Sequence, residues 1–283
     1  MQHWVGCSAW SYTSWKRYLS NLENAKWLNY YLQIFDYVEI DFSFYRIPSF
    51  FMVKNWSKRD HENFRFTAKF PKIITHNKRL KLFFQIINPL KNKTMALLIQ
   101  LPPSLMLSQG LEGLRQLLPI LHNTGFRYPV EVRHNSWFQD LAYNFFTDNN
   151  ICMVWNQLAN IRTPPIVTTD FLYIRLTGDR IIQEKDFSRI QKDRISEMRR
   201  RARNLKAVPK KEIGADEEGR TIIQRGRKNN VNLAIVAANK QYAGFGPGTA
   251  NLFRNITGLS QARWSENRTN SRKRSKTKYA LIL

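Results

Sequence analysis

The segment Pro129-Val130-Glu131-Val132-Arg133-His134-Asn135-Ser136-Trp137 shows the pattern from which the fold of this chain is predicted. Its first half predicts a β-strand, because apolar Val130 and Val132 alternate with charged Glu131 and Arg133, and strand side chains point to opposite faces in turn. A carboxylate and a guanidinium on one face of a central strand are costly to bury unless they are paired or used. Because a histidine and a tryptophan follow, the stretch indicates either the rim of a site or a structural ion pair beside a packing ring.

Similar strand patterns recur along the whole chain. Eight are predicted, at residues 3–8, 37–41, 64–69, 95–100, 130–133, 151–155, 170–176 and 233–237, with helical or linking segments between them. Strands and helices that alternate at this spacing predict an α/β protein with a parallel sheet. We therefore expect a single (β/α)8 barrel of the TIM type over residues 1–258, followed by a basic C-terminal tail over residues 259–283.

Composition limits the class of protein. With 43% hydrophobic and 13% aromatic residues among 283, the chain can bury a large core and is not disordered throughout. No apolar run approaches the ~20 residues of a membrane span, and the N-terminus lacks a signal-peptide pattern. The two cysteines, Cys7 and Cys152, form neither a metal-binding spacing nor a disulfide framework. We accordingly expect a cytoplasmic protein without a membrane partner.

The formal net charge of +24 is extreme for this length. Part of it is local: residues 185–211 carry 11 basic and 3 acidic side chains, and residues 263–278 carry 7 basic and 1 acidic. Such an excess favours polyanionic partners, either a nucleic acid or an anionic small molecule such as a phosphorylated metabolite. A general basic bias or an effect on solubility would give the same composition.

Polar side chains gather at the C-terminal ends of the predicted strands. In a (β/α)8 barrel the active site lies at that end. The polar residues placed there are Glu39, Asp41, Lys69, Gln100, Glu131, Arg133, Arg175 and Asn239. A single buried charge has many explanations, but polar groups from six strands that converge on one mouth favour a site over scattered ion pairs.

The ordered motifs of the chain resemble those of a known family. They are Gly6-Cys7-Ser8-Ala9-Trp10-Ser11-Tyr12-Thr13-Ser14-Trp15, Val38-Glu39-Ile40-Asp41-Phe42-Ser43-Phe44-Tyr45, Phe66-Thr67-Ala68-Lys69-Phe70-Pro71 with Thr75-His76, Gln100-Leu101-Pro102-Pro103, the stretch at 129–137, and Asp170-Phe171-Leu172-Tyr173-Ile174-Arg175-Leu176-Thr177-Gly178. As a set they resemble the YecE-like family, also called domain of unknown function 72, over about residues 1–258. The resemblance implies a TIM-type barrel but no reaction.

Several positions depart from the family's pattern. Ala9 stands where the family usually has Gly, Asp41 where it has Asn, and Thr177 where it has His. Near the eighth strand, Ala238-Asn239-Lys240 stands where a paired Asn followed by His is expected. The loss of an Asn and two histidines leaves open whether this chain keeps the family's ancestral chemistry.

The residue types at the mouth suggest particular roles. Glu39, Glu131, His134 and Lys69 are the candidate catalytic groups, because carboxylates, imidazoles and amines transfer protons. The candidate substrate-binding residues offer cationic forks, hydrogen bonds or stacking surfaces; they are Trp10, Tyr45, His76, Gln100, Arg133, Trp137, Arg175 and Asn239. No metal ligands are assigned; a metal is only weakly signalled, since there is no His-x-His or Asp-rich cluster, and whether one binds is left open. No cofactor is indicated by the sequence.

Three functions remain open on the sequence. The first is an enzyme, a hydrolase or lyase, that acts on an anionic substrate by acid–base chemistry. The second is a barrel that binds nucleic acid without turnover, and the third is a barrel that has lost activity and serves in assembly. The carboxylates Glu39 and Glu131 favour the first, because a binder of polyanions has little use for negative charge in its site.

Overall fold

The computed structural model describes residues 1–12, 15, 24–59, 63–72, 77–158, 160–178, 192–208, 223–224, 231–239, 242 and 245–264. Within these ranges the elements follow the order β1 (Gln2–Ser8), α1 (Asn24–Ile34), β2 (Tyr37–Ile40), α2 (Phe50–Ser57), β3 (Arg65–Lys69), α3 (Asn77–Ile87), β4 (Thr94–Gln100), α4 (Leu107–His122), β5 (Pro129–Glu131), α5 (Asp140–Asp148), β6 (Cys152–Met153), β7 (Trp155–Leu158), β8 (Ile166–Val167), β9 (Phe171–Gly178), α6 (Lys192–Ala207), β10 (Ile223–Gln224), β11 (Leu233–Ala238) and α7 (Gly246–Thr257). His76, Lys240 and most of the predicted tail lie outside the described residues.

The main sheet is a parallel barrel that is closed through one short break. Its strands follow the order β6-β5-β4-β3-β2-β1-β11-β9-β7, and every pairing between them is parallel. The first and last strands in this order, β6 and β7, are separated in the chain by Val154 alone. The sixth predicted strand is therefore real, but it is broken and runs to Leu158: its first part pairs with β5 and its second part with β9. The predicted α/β barrel is confirmed.

Two apolar layers hold the barrel together. Inside it, large side chains from strands around the circle pack in one cluster that includes Tyr37, Leu98, Tyr173 and Ile235. Outside it, the helices cover the sheet; α4, for example, buries leucines spaced by three or four residues, at positions 107, 111, 114, 117 and 121. That spacing places one stripe of a helix against the sheet. The polar residues inside the barrel consequently lie at the C-terminal ends of the strands.

The packed part of the chain extends beyond residue 258, where the sequence predicts the barrel to end. Asn251 of α7 exchanges two hydrogen bonds of 2.8 Å with the backbone of Ala262. The ring of Trp264 lies 6.4 Å from that of Phe35 and 6.2 Å from that of Phe245. Ala262 and Trp264 thus pack against α7 and the aromatic residues beside it.

Candidate functional site

Arg175 is the centre of a charged cluster at the C-terminal ends of the strands. Its side chain is 2% exposed, and its Nη2 lies 2.7 Å from Glu39 Oε1. Its Nη1 forms an ion pair with Glu131 Oε2, and its Nη2 lies 3.8 Å from Asp41 Oδ1. These residues meet because alternate side chains of β2, β5 and β9 point into the barrel, where one guanidinium can reach two carboxylates.

Two further cations complete the cluster. Arg133 donates from Nε to Glu131 Oε1 at 2.6 Å and from Nη2 to Gln100 Oε1 at 2.9 Å. Lys69 Nζ lies 2.5 Å from Asp41 Oδ1. The structure therefore brings together six of the predicted positions, together with Asp41, at one end of the barrel; they are Glu39, Lys69, Gln100, Glu131, Arg133 and Arg175.

A layer of hydroxyl groups supports this cluster from below. Tyr173 donates to Glu39 Oε2 at 2.7 Å. The hydroxyl groups of Tyr37, Thr67 and Tyr173 lie within 2.7–3.0 Å of one another. All three residues are buried, and they fix the carboxylate of Glu39 from the side opposite Arg175. Their signal in the sequence is their position two residues before Glu39, Lys69 and Arg175, on the same faces of β2, β3 and β9.

The charges in the cluster shift one another's protonation. Burial raises the pKa of Glu131, but Arg175, Arg133 and Lys69 outweigh burial and lower that pKa to about 2. For Arg175, burial acts downward, yet Glu131 and Glu39 hold the pKa of the guanidinium well above its usual value. Burial and the neighbouring Arg175 lower the pKa of Lys69, against the opposite effect of Asp41. Glu131 is thus held in its ionised form, whereas Lys69 loses its proton more readily than an ordinary lysine.

Four buried polar atoms in or beside the cluster have no hydrogen-bond partner in the part of the chain that the structure describes. They are Arg175 Nε, Asn156 Nδ2, Ser8 Oγ and Asp41 Oδ1, the last of which lies 2.5 Å from Lys69 Nζ as an ion pair. Asn156 and Arg175 are register partners in the pairing of β7 with β9. The other atoms of Asn156 are engaged: its Oδ1 accepts from Thr177 Oγ1 at 3.1 Å, and its backbone carbonyl accepts from Arg201 of α6 at 3.1 Å. Two nitrogen donors at adjacent positions therefore lack acceptors.

Asn156 was not among the residues predicted from the sequence. The predicted sixth strand ends at Trp155, so the polar pair Asn156-Gln157 fell outside it. A barrel needs interior polar groups on every strand around its mouth if they are to surround a ligand. The absence of such a residue on the sixth predicted strand was therefore the available signal.

Local contacts hold two further predicted residues, of which Trp137 is fully buried and His134 is partly buried. Trp137 is 0% exposed, donates from Nε1 to the carbonyl of Leu105 at 2.9 Å, and stacks on Phe146 with an interplanar angle of 4°. Its predicted stacking surface is thus corrected to a packing surface between α4 and α5. His134 accepts at Nδ1 from the backbone N–H of Ser136 at 3.2 Å, at the start of the 3-10 turn Asn135–Trp137.

The other predicted binding residues lie at the rim or beyond it. Trp10 contacts Trp56 edge to face, with ring centroids 5.5 Å apart, and lines a cleft of about 570 Å³ between the loops that follow β1 and β2. Tyr45 is 72% exposed. Asn239 directly follows β11, and its backbone N–H donates to Leu176 at 2.9 Å. His76 lies outside the described residues.

Neither a metal-binding group nor a membrane span is found in the described ranges. Among these residues no three His, Cys, Asp or Glu side chains are grouped so that they could hold a metal ion. No described helix combines the length and the apolar character needed to cross a membrane.

Comparisons with known proteins all indicate the same family. A family model described as "Protein of unknown function DUF72" matches residues 4–273. The UPF0759 protein YecE of Escherichia coli K12 is 28% identical over 148 residues, which are 48% of this chain and 50% of that protein, so the alignment spans about half the length of this curated relative. Two solved DUF72 family proteins share the fold. The protein from Thermotoga maritima has a TM-score of 0.71 and 22% identity, and the match covers 91% of this chain and 100% of that one. The protein from Enterococcus faecalis has a TM-score of 0.69 and 19% identity, with coverage of 92% and 96%.

Proposed function

The chain belongs to the DUF72 family of proteins of unknown function, and we propose that it is an enzyme that acts on an anionic substrate at the barrel mouth by acid–base chemistry. The family match confirms the resemblance carried by the sequence motifs. Because the family description assigns no reaction, the proposal depends on the geometry of the mouth alone.

The unpartnered donors of Arg175 and Asn156 carry the proposal. A buried polar group without a partner costs about 1–3 kcal/mol, and a charged group costs more. A phosphoryl or carboxylate oxygen that accepts from Arg175 Nε and Asn156 Nδ2 would remove that cost for both residues at once. Asp41 Oδ1, an acceptor in the same cluster, is already in ion-pair contact with Lys69 Nζ at 2.5 Å, so the two nitrogen donors favour an anionic ligand over a cationic one.

The carboxylates around Arg175 then have a positioning role. Glu39 and Glu131 occupy Nη2 and Nη1 of the guanidinium, which leaves the Nε edge for the substrate. An ionised group with a pKa of about 2 is too weak a base to remove a proton efficiently near neutral pH. In this proposal the predicted catalytic role of Glu131 therefore becomes one of holding the anion-binding arginine in place. Glu39 has the same role because Arg175 and Tyr173 engage both of its carboxylate oxygens.

Lys69 is the proposed proton-transfer group. Its lowered pKa increases the fraction of neutral amine near physiological pH, as a general base requires. The Asp41 carboxylate contacts Lys69 Nζ at 2.5 Å and lies 3.8 Å from Arg175 Nη2, so it links the proton-transfer group to the anion-binding group. The neutral amine would take a proton from the substrate or from a water molecule and hold it as an ammonium beside Asp41.

An untargeted assay tests the proposal without a known substrate. Purified protein is incubated with a cell extract of polar metabolites, and consumption is followed by mass spectrometry beside the Lys69→Met variant. We expect a phosphate- or carboxylate-bearing metabolite to be consumed by the wild type and left intact by Lys69→Met. The control is Lys81→Met on an exposed position of α3, which should consume it as the wild type does. Equal metabolite profiles for wild type and Lys69→Met would refute the proposal.

A further inference from the structure

A surface on the loop after β2 and on helix α2 combines exposed aromatic rings with exposed cations. We call it the α2 surface; it consists of Tyr45, Arg46, Phe50, Phe51, Lys54 and Lys58. The three aromatic residues are 72%, 52% and 72% exposed, in chain order. They are the exposed aromatic rings among the residues that the structure describes, and contiguous exposed apolar patches mark interaction sites.

The helix itself explains why these side chains face outward. Ser49 caps α2 by accepting from the backbone N–H of Met52 at 3.2 Å. Val53 and Trp56 are the buried residues of the helix, so they fix which side faces the barrel. Phe51, Lys54 and Lys58 follow the spacing i, i+3, i+7, which places one ring and two ammonium groups on a common outer stripe.

The aromatic character continues into the cleft of about 570 Å³ beside the surface. Trp10, Phe42 and Trp56 line it together with Arg46 and Arg59. Its volume lies within the roughly 300–1,000 Å³ of small-molecule sites, so it is large enough to enclose one flat heterocycle. An aromatic recess and an exposed aromatic surface therefore lie on the same two segments of chain.

The charged side chains of the α2 surface are all positive. Residues 42–59 contain four basic and no acidic side chains. Within the part of the chain that the structure describes, Arg46, Lys54 and Lys58 have no acidic partner within ion-pair distance. Cations without carboxylate partners are available to an external polyanion.

We propose that the α2 surface binds single-stranded nucleic acid. Proteins that bind single strands without sequence preference pair a positive track along the phosphates with aromatic rings on which successive bases stack. Phe50, Phe51 and Tyr45 supply the rings, and Arg46, Lys54 and Lys58 supply the positive charge. The cleft at Trp10 accepts one base of the strand. An anionic membrane surface has no flat aromatic group that could fill this cleft. This inference goes beyond the proposed function, since it uses none of the clustered charges around Arg175; Trp10 and Tyr45, predicted as substrate-binding residues, contact the nucleic acid instead.

Fluorescence anisotropy with a labelled oligo(dT) of about twelve nucleotides tests the proposal on the full chain. The Phe50→Ala/Phe51→Ala variant should bind at least roughly five-fold more weakly than the wild type, because each base loses a stacking partner. Both rings are more than half exposed, so their removal should leave the melting temperature unchanged. Leu141→Ala, a control at another exposed apolar position (57% exposed), should bind as the wild type does.

The salt dependence provides a second, independent measurement. Between about 50 and 200 mM salt, the Lys54→Gln/Lys58→Gln variant should lose ~1.4 from the log–log slope, since each single-strand phosphate contact contributes about 0.7. Lys81→Gln, an exposed lysine on α3, is the control and should lose none. The same oligonucleotide as a duplex should bind more weakly, because its bases cannot stack on the rings.

Three outcomes would overturn the proposal. Unchanged affinity of the double phenylalanine variant would show that the bound strand does not use these rings. Sedimentation with phosphatidylserine vesicles that depends on Phe50 and Phe51, without binding of the oligonucleotide, would assign the surface to a membrane. A dimer that dissociates in the same variant would assign it to a second copy of this chain.

Discussion

Glu131 of β5 and Arg175 of β9 form an ion pair in which the two residues are only 0% and 2% exposed. The broken strand β6/β7 lies between β5 and β9 in the barrel, so this pair spans one strand. Because the same guanidinium also binds Glu39 of β2 at 2.7 Å, Arg175 ties three strands together at the mouth. The cluster is therefore a structural element of the barrel as well as a candidate site.

Replacing Glu131 by Gln should destabilise the protein. The change keeps the shape of the side chain but removes the charge that faces Arg175 and Arg133, which leaves cations buried without a full complement. Breaking a buried pair in this way typically costs about 3–5 kcal/mol, measurable by urea unfolding at neutral pH. Glu112→Gln, at a side chain that is 61% exposed and 3.8 Å from Arg115, is the control and should change stability by less than about 0.5 kcal/mol. If Glu131→Gln unfolds as the wild type does, Glu131 is not an anchor.

The same residue predicts a particular dependence of stability on acid. The pKa of Glu131 is about 2 in the folded protein, whereas in the unfolded chain, without its partners, it is 4.5. The ionised carboxylate therefore stabilises the fold fully above pH 4.5. That contribution is lost as the pH falls from 4.5 through about 2, and it amounts to about 3 kcal/mol. The stability difference between wild type and Glu131→Gln should therefore shrink over this window. A difference that stays constant between those two pH values would show that the pKa is not lowered.

The positions of the clustered charges could be predicted from the sequence, because the period of a strand is regular. Glu39, Lys69, Glu131 and Arg175 each occupy an inward-facing position near the C-terminal end of a strand whose apolar residues alternate with polar ones. In a closed parallel barrel such positions converge at one end. Their pairing could not be predicted: which carboxylate meets which cation depends on the stagger of the strands, and that stagger has no signature in any single strand.

The two departures from the predicted site have a common physical cause. Trp137 follows the strand by several residues, and the 3-10 turn Asn135–Trp137 rotates its side chain away from the mouth and onto Phe146. Asn156 is inward-facing because the strand resumes after the break at Val154. Alternation cannot be extrapolated through a turn or a break, so a residue beyond either has no predictable face.

Two glycines of α4 should respond in opposite ways to alanine. A Cβ at Gly110 would lie 2.2 Å from Cζ2 of the buried Trp137, so Gly110→Ala forces the ring or the helix to move, at a cost of about 1–3 kcal/mol. A Cβ at Gly113 meets nothing within 4 Å, so Gly113→Ala should stabilise the helix by about 0.5–1 kcal/mol. Thermal unfolding of both variants provides the measurement. Equal effects of the two substitutions would contradict the structural assignment of Trp137.

The basic residues after Trp264 should contribute to any binding of nucleic acid through charge alone. Residues 265–278 carry 6 basic and 1 acidic side chains. Truncation after Trp264, which keeps the packed residues 259–264, should flatten the salt dependence of binding to an oligonucleotide, since fewer phosphates are neutralised. The comparison is with full-length protein under identical salt series. An unchanged slope would mean that this segment makes no phosphate contacts.

The pKa of Lys69 should lie below that of an ordinary lysine, and removing the Asp41 carboxylate should change it. Burial and Arg175 lower the pKa of Lys69, whereas Asp41, at 2.5 Å, raises it. Asp41→Asn should therefore lower the pKa of Lys69 further, because it removes a negative charge that favours the ammonium. The pKa is measured without a substrate by following the 13Cε resonance of labelled Lys69, assigned by its absence in Lys69→Met, with exposed Lys81 as the internal control.

The sign of the effect on stability follows from the same titration. Because the folded pKa of Lys69 lies below the unfolded value of 10.5, the unfolded chain binds more protons between the two values. Stability should therefore rise with pH over that window in the wild type, and the window should begin at lower pH in Asp41→Asn. A Lys69 that titrates at 10.5 or above, or one whose pKa rises on removal of Asp41, would exclude it as the proton-transfer group. In that case the mouth would keep its anion-binding donors but lack a base among the described residues whose pKa is tuned for the task.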